Sequence, residues 1–437
     1  MKIFVESYAL HAAPFRTPFK FGAAVIESLQ VPVVRLRVEI GGKSGIGIGS
    51  MPLGNAWSYP GIPYEQSLAV MERLGARIRD TVDGMTGPDN ISAMSDALRA
   101  VAFDERLRLQ HEWTDLPAPI PDLCALVTFS PWDLALFDAW GKALGANTYT
   151  LLRQEETPSS RHFTTAPLAE VLSAEPSPRL AIYHVVGGLD PLTPDEVAKS
   201  AGDDLPDDLQ GWMARDGLTH FKIKLQGKDP EWDYQRVAAV ESAVMDQASR
   251  TGRQDDHFVY SLDLNEQCPS GGVLADLLER LQKDQPQAFA RIAFVEQPTS
   301  RAFAGTPEEN VSRAAKLKPV VIDEGLVDES ALARAVQNGY NGVCLKTCKG
   351  LGFSVKMASI ARGEGFYLCV QDLTCPGISF SESASLAARV GVDGLEANAR
   401  QFCPAANAAA AQDHPELFHL AGGAVSAAGL TRPGLGV

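Results

Sequence analysis

LTHFKIKLQG, residues 218–227, sets the frame for the rest of the chain. Phe221, Ile223 and Leu225 alternate with His220, Lys222 and Lys224, the period of a β-strand, so Lys222 and Lys224 share one face. The apolar side packs against a helix. The other side holds two ammonium groups close together, and like charges at i and i+2 lower the pKa of at least one. A lysine tuned that way accepts protons. On its own the stretch reads first as a half-exposed strand with a solvated lysine face; the downstream sequence overturns that reading.

From Leu180 onward, eight short β-rich runs alternate with helical stretches: LAIYHVV, HFKIKL, HFVYSLDL, RIAFVE, PVVID, GVCLK, FYLCVQ and DGLEAN. Residues 231–248, 274–283, 330–337 and 354–362 have helical patterning. Strands joined by crossover helices pair in parallel with right-handed connections. A closed α/β barrel of the TIM type suits this length. An open doubly wound sheet is the alternative, but no glycine fingerprint marks its first turn.

Barrel enzymes draw their reactive groups from the C-terminal ends of several strands. Here the second strand ends with Lys222 and Lys224, and the third with Asp263 and Asn265 on one face. The fourth ends with Glu296, the fifth with Asp323 and Glu324, and the sixth with Lys346. Any one acid alone is as well explained as a helix cap. Acids from three successive strands on one rim repel unless a cation lies among them. Hard oxygen donors with room for water suit Mg²⁺ better than zinc or copper. Such a cation polarises a substrate carboxylate, and lysines flanking it from opposite sides exchange protons with the two faces of the α-carbon.

Upstream, residues 1–126 look like a small α+β unit with strands at 3–10 and 31–40 and helices at 63–79 and 91–107, the second capped by Asn90. GGKSGIGIG, residues 41–49, is a glycine-rich turn and strand; it lacks the ending of a phosphate loop. A strong amphipathic helix is expected over 130–152, with Ser130 as cap, Pro131 in the first turn, and Trp132, Leu136 and Trp140 in the core. Residues 154–178 read as loop. The Ala/Gly/Pro-rich stretch 401–437 reads as irregular chain packed back on the first unit.

The ordered set K-x-K, D-x-N, E-Q-P, D-E-G and K resembles the enolase superfamily, specifically its muconate-cycloisomerase-like (mandelate racemase/muconate lactonizing enzyme) family. FSPWDLALFDAWGKALG is similar to that family's helix between capping domain and barrel, and HVVGGLDP to its first barrel strand. The resemblance implies an α+β capping domain over 1–150, completed by 401–437, on a modified (β/α)7β barrel over 151–400. It implies Mg²⁺ held by Asp263, Glu296 and Asp323, acid/base roles for Lys224 and Lys346, and a role for Lys222 in orienting the substrate carboxylate and tuning Lys224. Lys349 lies past the strand in a turn and is expected to be solvated.

In the family, specificity comes from capping loops over the barrel mouth. By position these are FRTPFKFG (15–22) and residues 50–61, with Arg16 and Lys20 as candidates for an anionic tail and Trp57 and Tyr59 for an apolar one. Asn265, Glu324, Gln371 and Asp372 complete the candidate substrate contacts. The sequence departs from the family pattern at KGLG (350–352 carry Leu351 between the glycines), at Gln371-Asp372 in place of Glu-Ser, and at ANARQ in place of Asp-x-Asp, which disfavours a dipeptide. No histidine lies between His257 and His414, which disfavours the branches that use one as base.

The chain carries 39 Lys and Arg against 54 Asp and Glu, a formal charge of −15. That argues against nucleic acid or an anionic membrane as partner. Seven cysteines without paired spacing, no secretory leader pattern and no apolar stretch of spanning length lead us to expect a cytoplasmic protein. The expected function is Mg²⁺-dependent abstraction of a proton α to a carboxylate in a small molecule, by a racemase or epimerase that uses two lysines and forms a homo-oligomer. A cycloisomerase or syn-eliminating lyase is the alternative, and an inactive barrel serving as a binding protein is a third.

Overall fold

The computed structural model describes residues 1–21 and 24–437; the side chains of residues 19–21 and 24 lie outside the description. Lys20, a candidate for the anionic tail, is among these. Three strands, β1 (Lys2–Phe21), β2 (Ala24–Ile40) and β3 (Lys43–Ser50), form an antiparallel sheet in that order. Helices Tyr64–Val82, Ile91–Glu112 and Asp122–Leu144 complete this N-terminal capping unit. Asn90 caps the second of these, its Oδ1 accepting from Ala93 N at 2.9 Å.

The glycines of β3 have a packing purpose. A Cβ on Gly45, Gly47 or Gly49 would lie 2.3, 2.2 and 2.0 Å from backbone atoms of Ala143, Ala139 and Pro131. Two strand residues advance about 6.8 Å and four helix residues about 6 Å. Glycine at every second strand position therefore faces every fourth helix position, and the two backbones touch.

The partner helix, Asp122–Leu144, is buried almost all round. It starts eight residues before the expected cap, and Pro131 lies inside it. Ser130 is no cap: its Oγ donates to Val127 O at 2.8 Å. That carbonyl is the one Pro131, lacking an N–H, leaves without its helical donor. Apolar patterning on all sides hid the true start.

The eight barrel strands are β4 (Arg179–Val186), β5 (His220–Lys224), β6 (Val259–Asp263), β7 (Ile292–Glu296), β8 (Val320–Ile322), β9 (Gly342–Leu345), β10 (Tyr367–Val370) and β11 (Gly394–Glu396). Neighbours pair in parallel, and β11 returns to β4 to close the ring. Seven helix-bearing crossovers separate the eight strands. The ring is a TIM-type barrel under a capping domain. After β11 the chain runs through short helices to β12 (Ala424–Ser426), which pairs antiparallel with the start of β4. Tyr183, Val259, Phe294, Val321, Cys344 and Cys369 pack together as an apolar cluster inside the ring.

Candidate active site

The site follows from strand period. Two residues beyond every apolar group of the inner layer except Tyr183, whose successor is Val185, the same strand face carries a polar residue. Val259 leads to Ser261 and then Asp263; Phe294 leads to Glu296, Val321 to Asp323, Cys344 to Lys346 and Cys369 to Gln371. On β5 the series is His220, Lys222, Lys224, and on β11 it is Gly394, Glu396. Lys224 pairs in register with Asp263, and Asp263 with Glu296.

Lys222 is 2% exposed and lies among three carboxylates: 3.0 Å from Asp263 Oδ2 and 2.8 Å from both Glu296 Oε2 and Glu396 Oε2. It also donates to Gln371 Oε1 at 3.2 Å, while the Gln371 amide donates to Glu296. Lys224 contacts Asp263 Oδ2 and donates to Asn265 Oδ1 at 3.1 Å. Lys346 donates to Asp323 Oδ2 at 2.7 Å. The side chain of Lys224 is 27% exposed and that of Lys346 5%.

Lys349 corrects an expectation. It is buried, and its Nζ donates to Asp323 O and, at 3.1 Å, to Asp323 Oδ1. The turn that follows β9 folds inward because Gly350 takes φ 97°, open to glycine alone. The lowering expected for at least one of the paired lysines does not fall on Lys222. Burial pulls Lys222 and Lys346 down, but the carboxylates outweigh it: Asp263, Glu296 and Glu396 hold Lys222 well above its ordinary value, and Asp323 leads the same effect on Lys346. Burial drives Glu296 up to about 8, with Asp263 adding to it, and Glu324 up to about 7, with Asp323 adding.

Gln297 organises the acid turn. Its Oε1 accepts from Asp323 N at 2.9 Å and Gly325 N at 3.1 Å, and its own φ of 30° is left-handed. Carboxylate oxygens of Glu296, Asp323 and Glu324 lie within 4.8 Å of one another. Glu324 Oε2 is buried without a hydrogen-bond partner among the described residues. This all-oxygen set with an unsatisfied donor atom fits a hard divalent cation.

Trp57 comes from the capping unit. Its Nε1 donates to Glu324 Oε1 at 3.1 Å, and its ring lies 4.7 Å from Lys346 Nζ. Asn265 Nδ2 meets the same Glu324 oxygen at 3.3 Å. Asp372, beside Gln371, is buried and accepts from Thr374 N and Cys375 N; burial, with Glu396 adding, raises it to about 7.

Two other candidates turn elsewhere. Arg16 is taken up by residues 203–207, pairing with Asp203 and Asp207 and donating to Leu205 O and Pro206 O. Tyr59 is buried in the capping unit with its hydroxyl on Ala118 O. Sequence reasoning missed Glu396, although the inner-face spacing after Gly394 marks it.

A family model described as enolase C-terminal domain-like matches residues 204–437, more than half of the 437-residue chain. No curated relative matches in sequence. Among solved structures, a putative mandelate racemase/muconate lactonizing enzyme from Sorangium cellulosum superposes with a TM-score of 0.60 at 17% identity, covering 99% of this chain and 98% of that one. The L-Ala-D/L-Glu epimerase from Bacillus subtilis gives 0.60 at 16%, covering 100% and 98%. The muconate lactonizing enzyme from Pseudomonas fluorescens, complexed with muconolactone, gives 0.54 at 18%, covering 88% and 84%. At these identities the likeness establishes the fold.

Proposed function

The chain belongs to the enolase superfamily of enzymes, on its mandelate racemase/muconate lactonizing enzyme side, and on that premise we propose that it removes a proton α to the carboxylate of a small molecule and returns one, as a racemase or epimerase. The observation that carries this reading is the placement of Lys224 and Lys346. They stand at the ends of β5 and β9, four strands apart in a ring of eight, with the carboxylates between them. A planar intermediate lying across the mouth meets one amine on each face.

Asp263, Glu296 and Asp323 would hold Mg²⁺. Their support is position: they end three consecutive strands, and Asp263 and Glu296 are register partners. Glu324 is the rival third ligand: its Oε1 is engaged by Trp57 and Asn265, while its Oε2 has no partner among the described residues. When bound, the cation polarises the substrate carboxylate and offsets the charge that grows there as the α-proton leaves.

The chain's own residues do the rest. Lys224, the more exposed amine, removes the proton on its face. Lys346, held charged by Asp323, returns one on the other, and the reverse reaction exchanges the roles. Lys222 keeps its charge among the acids and orients the substrate carboxylate. Trp57 lies over Lys346 and keeps water from that face. Seven buried cysteines with free thiols fit a reducing, cytoplasmic setting.

The test is a screen for α-proton exchange in D₂O with Mg²⁺ over N-acyl amino acids, amino-acid betaines and acid sugars. Deuterium entering with inversion supports the reading. Loss of water, or a ring isomer, moves the chain to the lyase or cycloisomerase reaction, in which one lysine suffices as base. No exchange on any substrate, with Mg²⁺ binding intact, supports an inactive barrel.

A further inference from the structure

A cavity of about 470 Å³ lies outside the barrel wall, away from the lysines. Its position follows from the topology. Seven crossovers carry helices onto the outside of the ring, but nothing returns from β11 to β4 through a full helix. The gap between helices Leu209–Asp216 and Ile378–Val390 is covered only by short pieces, Ala408–Asp413 and Pro415–Phe418 among them. The cavity falls within the range of about 300–1,000 Å³ common for small-molecule sites.

The lining has two characters. Trp212, Phe380, Leu417 and Phe418 make an apolar wall. Arg215 and Arg400 also line it, with their guanidinium groups 5.5 and 4.9 Å from the Trp212 ring. Arg400 pairs with Asp216 and donates to His184 Nδ1, but its Nε is buried with no partner among the described residues. His184 offers no negative charge; burial, then Arg400, holds it well below its ordinary value and neutral. Asp216, 3.6 Å from Arg215 and paired with Arg400, is the one acid among the described lining residues, set against two guanidinium groups.

We propose that this cavity binds a small carboxylate with a short unbranched apolar tail, the carboxylate meeting Arg400 and the tail lying on Trp212 and Phe418. The site is separate from the barrel mouth. It touches Ala397 and Ala399, which flank Asn398, and Asn398 Nδ2 donates to Glu396 Oε1 at 3.2 Å. An occupant therefore sits one residue away from a carboxylate that holds Lys222.

Calorimetric titration of the full chain with hexanoate, hexanol and hexylammonium tests this. One saturable hexanoate site is expected, with hexanol at least tenfold weaker and hexylammonium not bound. Ala411→Trp, which fills the cavity, abolishes the binding, and a Lys224→Ala/Lys346→Ala double variant keeps it. Arg400→Gln also loses it; because that change disturbs Asp216 and His184, Ala411→Trp is the deciding variant. Hexanoate binding that survives Ala411→Trp and disappears in the lysine variant would place the ligand in the barrel mouth and overturn the proposal. So would equal binding of hexanol, or no saturable site.

Discussion

Trp57 Nε1 donates a hydrogen bond to Glu324 Oε1 at 3.1 Å, which joins the capping unit to the acid turn of the barrel. Trp57→Phe keeps an aromatic ring over Lys346 and removes the donor. Leaving a buried acceptor less satisfied costs about 1–3 kcal/mol. Urea unfolding is expected to show a loss in that range, whereas Trp57→Ala loses more because the ring packing goes too.

Close approach of β3 and the central helix, Asp122–Leu144, gives a second prediction. A Cβ on Gly47 would lie 2.2 Å from Ala139 N, and neither backbone can yield. Gly47→Ala is expected to cost about 3 kcal/mol or more, the upper part of the overpacking range. Ile46→Ala, on the exposed face of the same strand, is the control and changes the unfolding midpoint little.

Asp133 makes stability depend on pH. It is fully buried, accepting from Ser95 Oγ at 2.6 Å and Gly352 N at 3.0 Å, and burial raises it from 3.8 to about 6. Below pH 3.8 it is protonated folded and unfolded alike. Between 3.8 and about 6 the unfolded state loses the proton first, so the stability it confers falls as pH rises through that window. The cost then levels off at about 3 kcal/mol. Asp133→Asn is expected to flatten that slope relative to the parent chain in unfolding curves at pH 4.5 and 7.

Which acid completes the cation site is separable by variants. Glu296 and Asp323 belong to either set; Asp263 and Glu324 compete for the third place. Titration calorimetry with Mg²⁺ is expected to show affinity falling at least tenfold in Asp263→Asn and less than threefold in Glu324→Gln. The reverse order would make Glu324 the ligand.

The barrel was legible because its strands are short and β-rich and most of them end in a polar inner residue, a local signal that survives tertiary packing. The lysines and acids were legible for the same reason. Lys349 was not: whether a turn residue faces in or out depends on the φ of Gly350, which sequence period does not encode. The start of the central helix was hidden because its flanks are buried on all sides, so no amphipathic edge marks it. Arg16 and Tyr59 show the limit of reading loops by position. Each found partners in distant segments, at residues 203–207 and at Ala118.

The two-lysine account is tested most directly by following α-proton exchange and inversion together, in D₂O, on a substrate found by the screen. Lys224→Ala and Lys346→Ala are each expected to lose inversion by at least a thousandfold, while each keeps exchange of the one enantiomer whose α-proton faces the lysine that remains. Inversion that persists in both variants would contradict the account and show that the proton is moved by other groups.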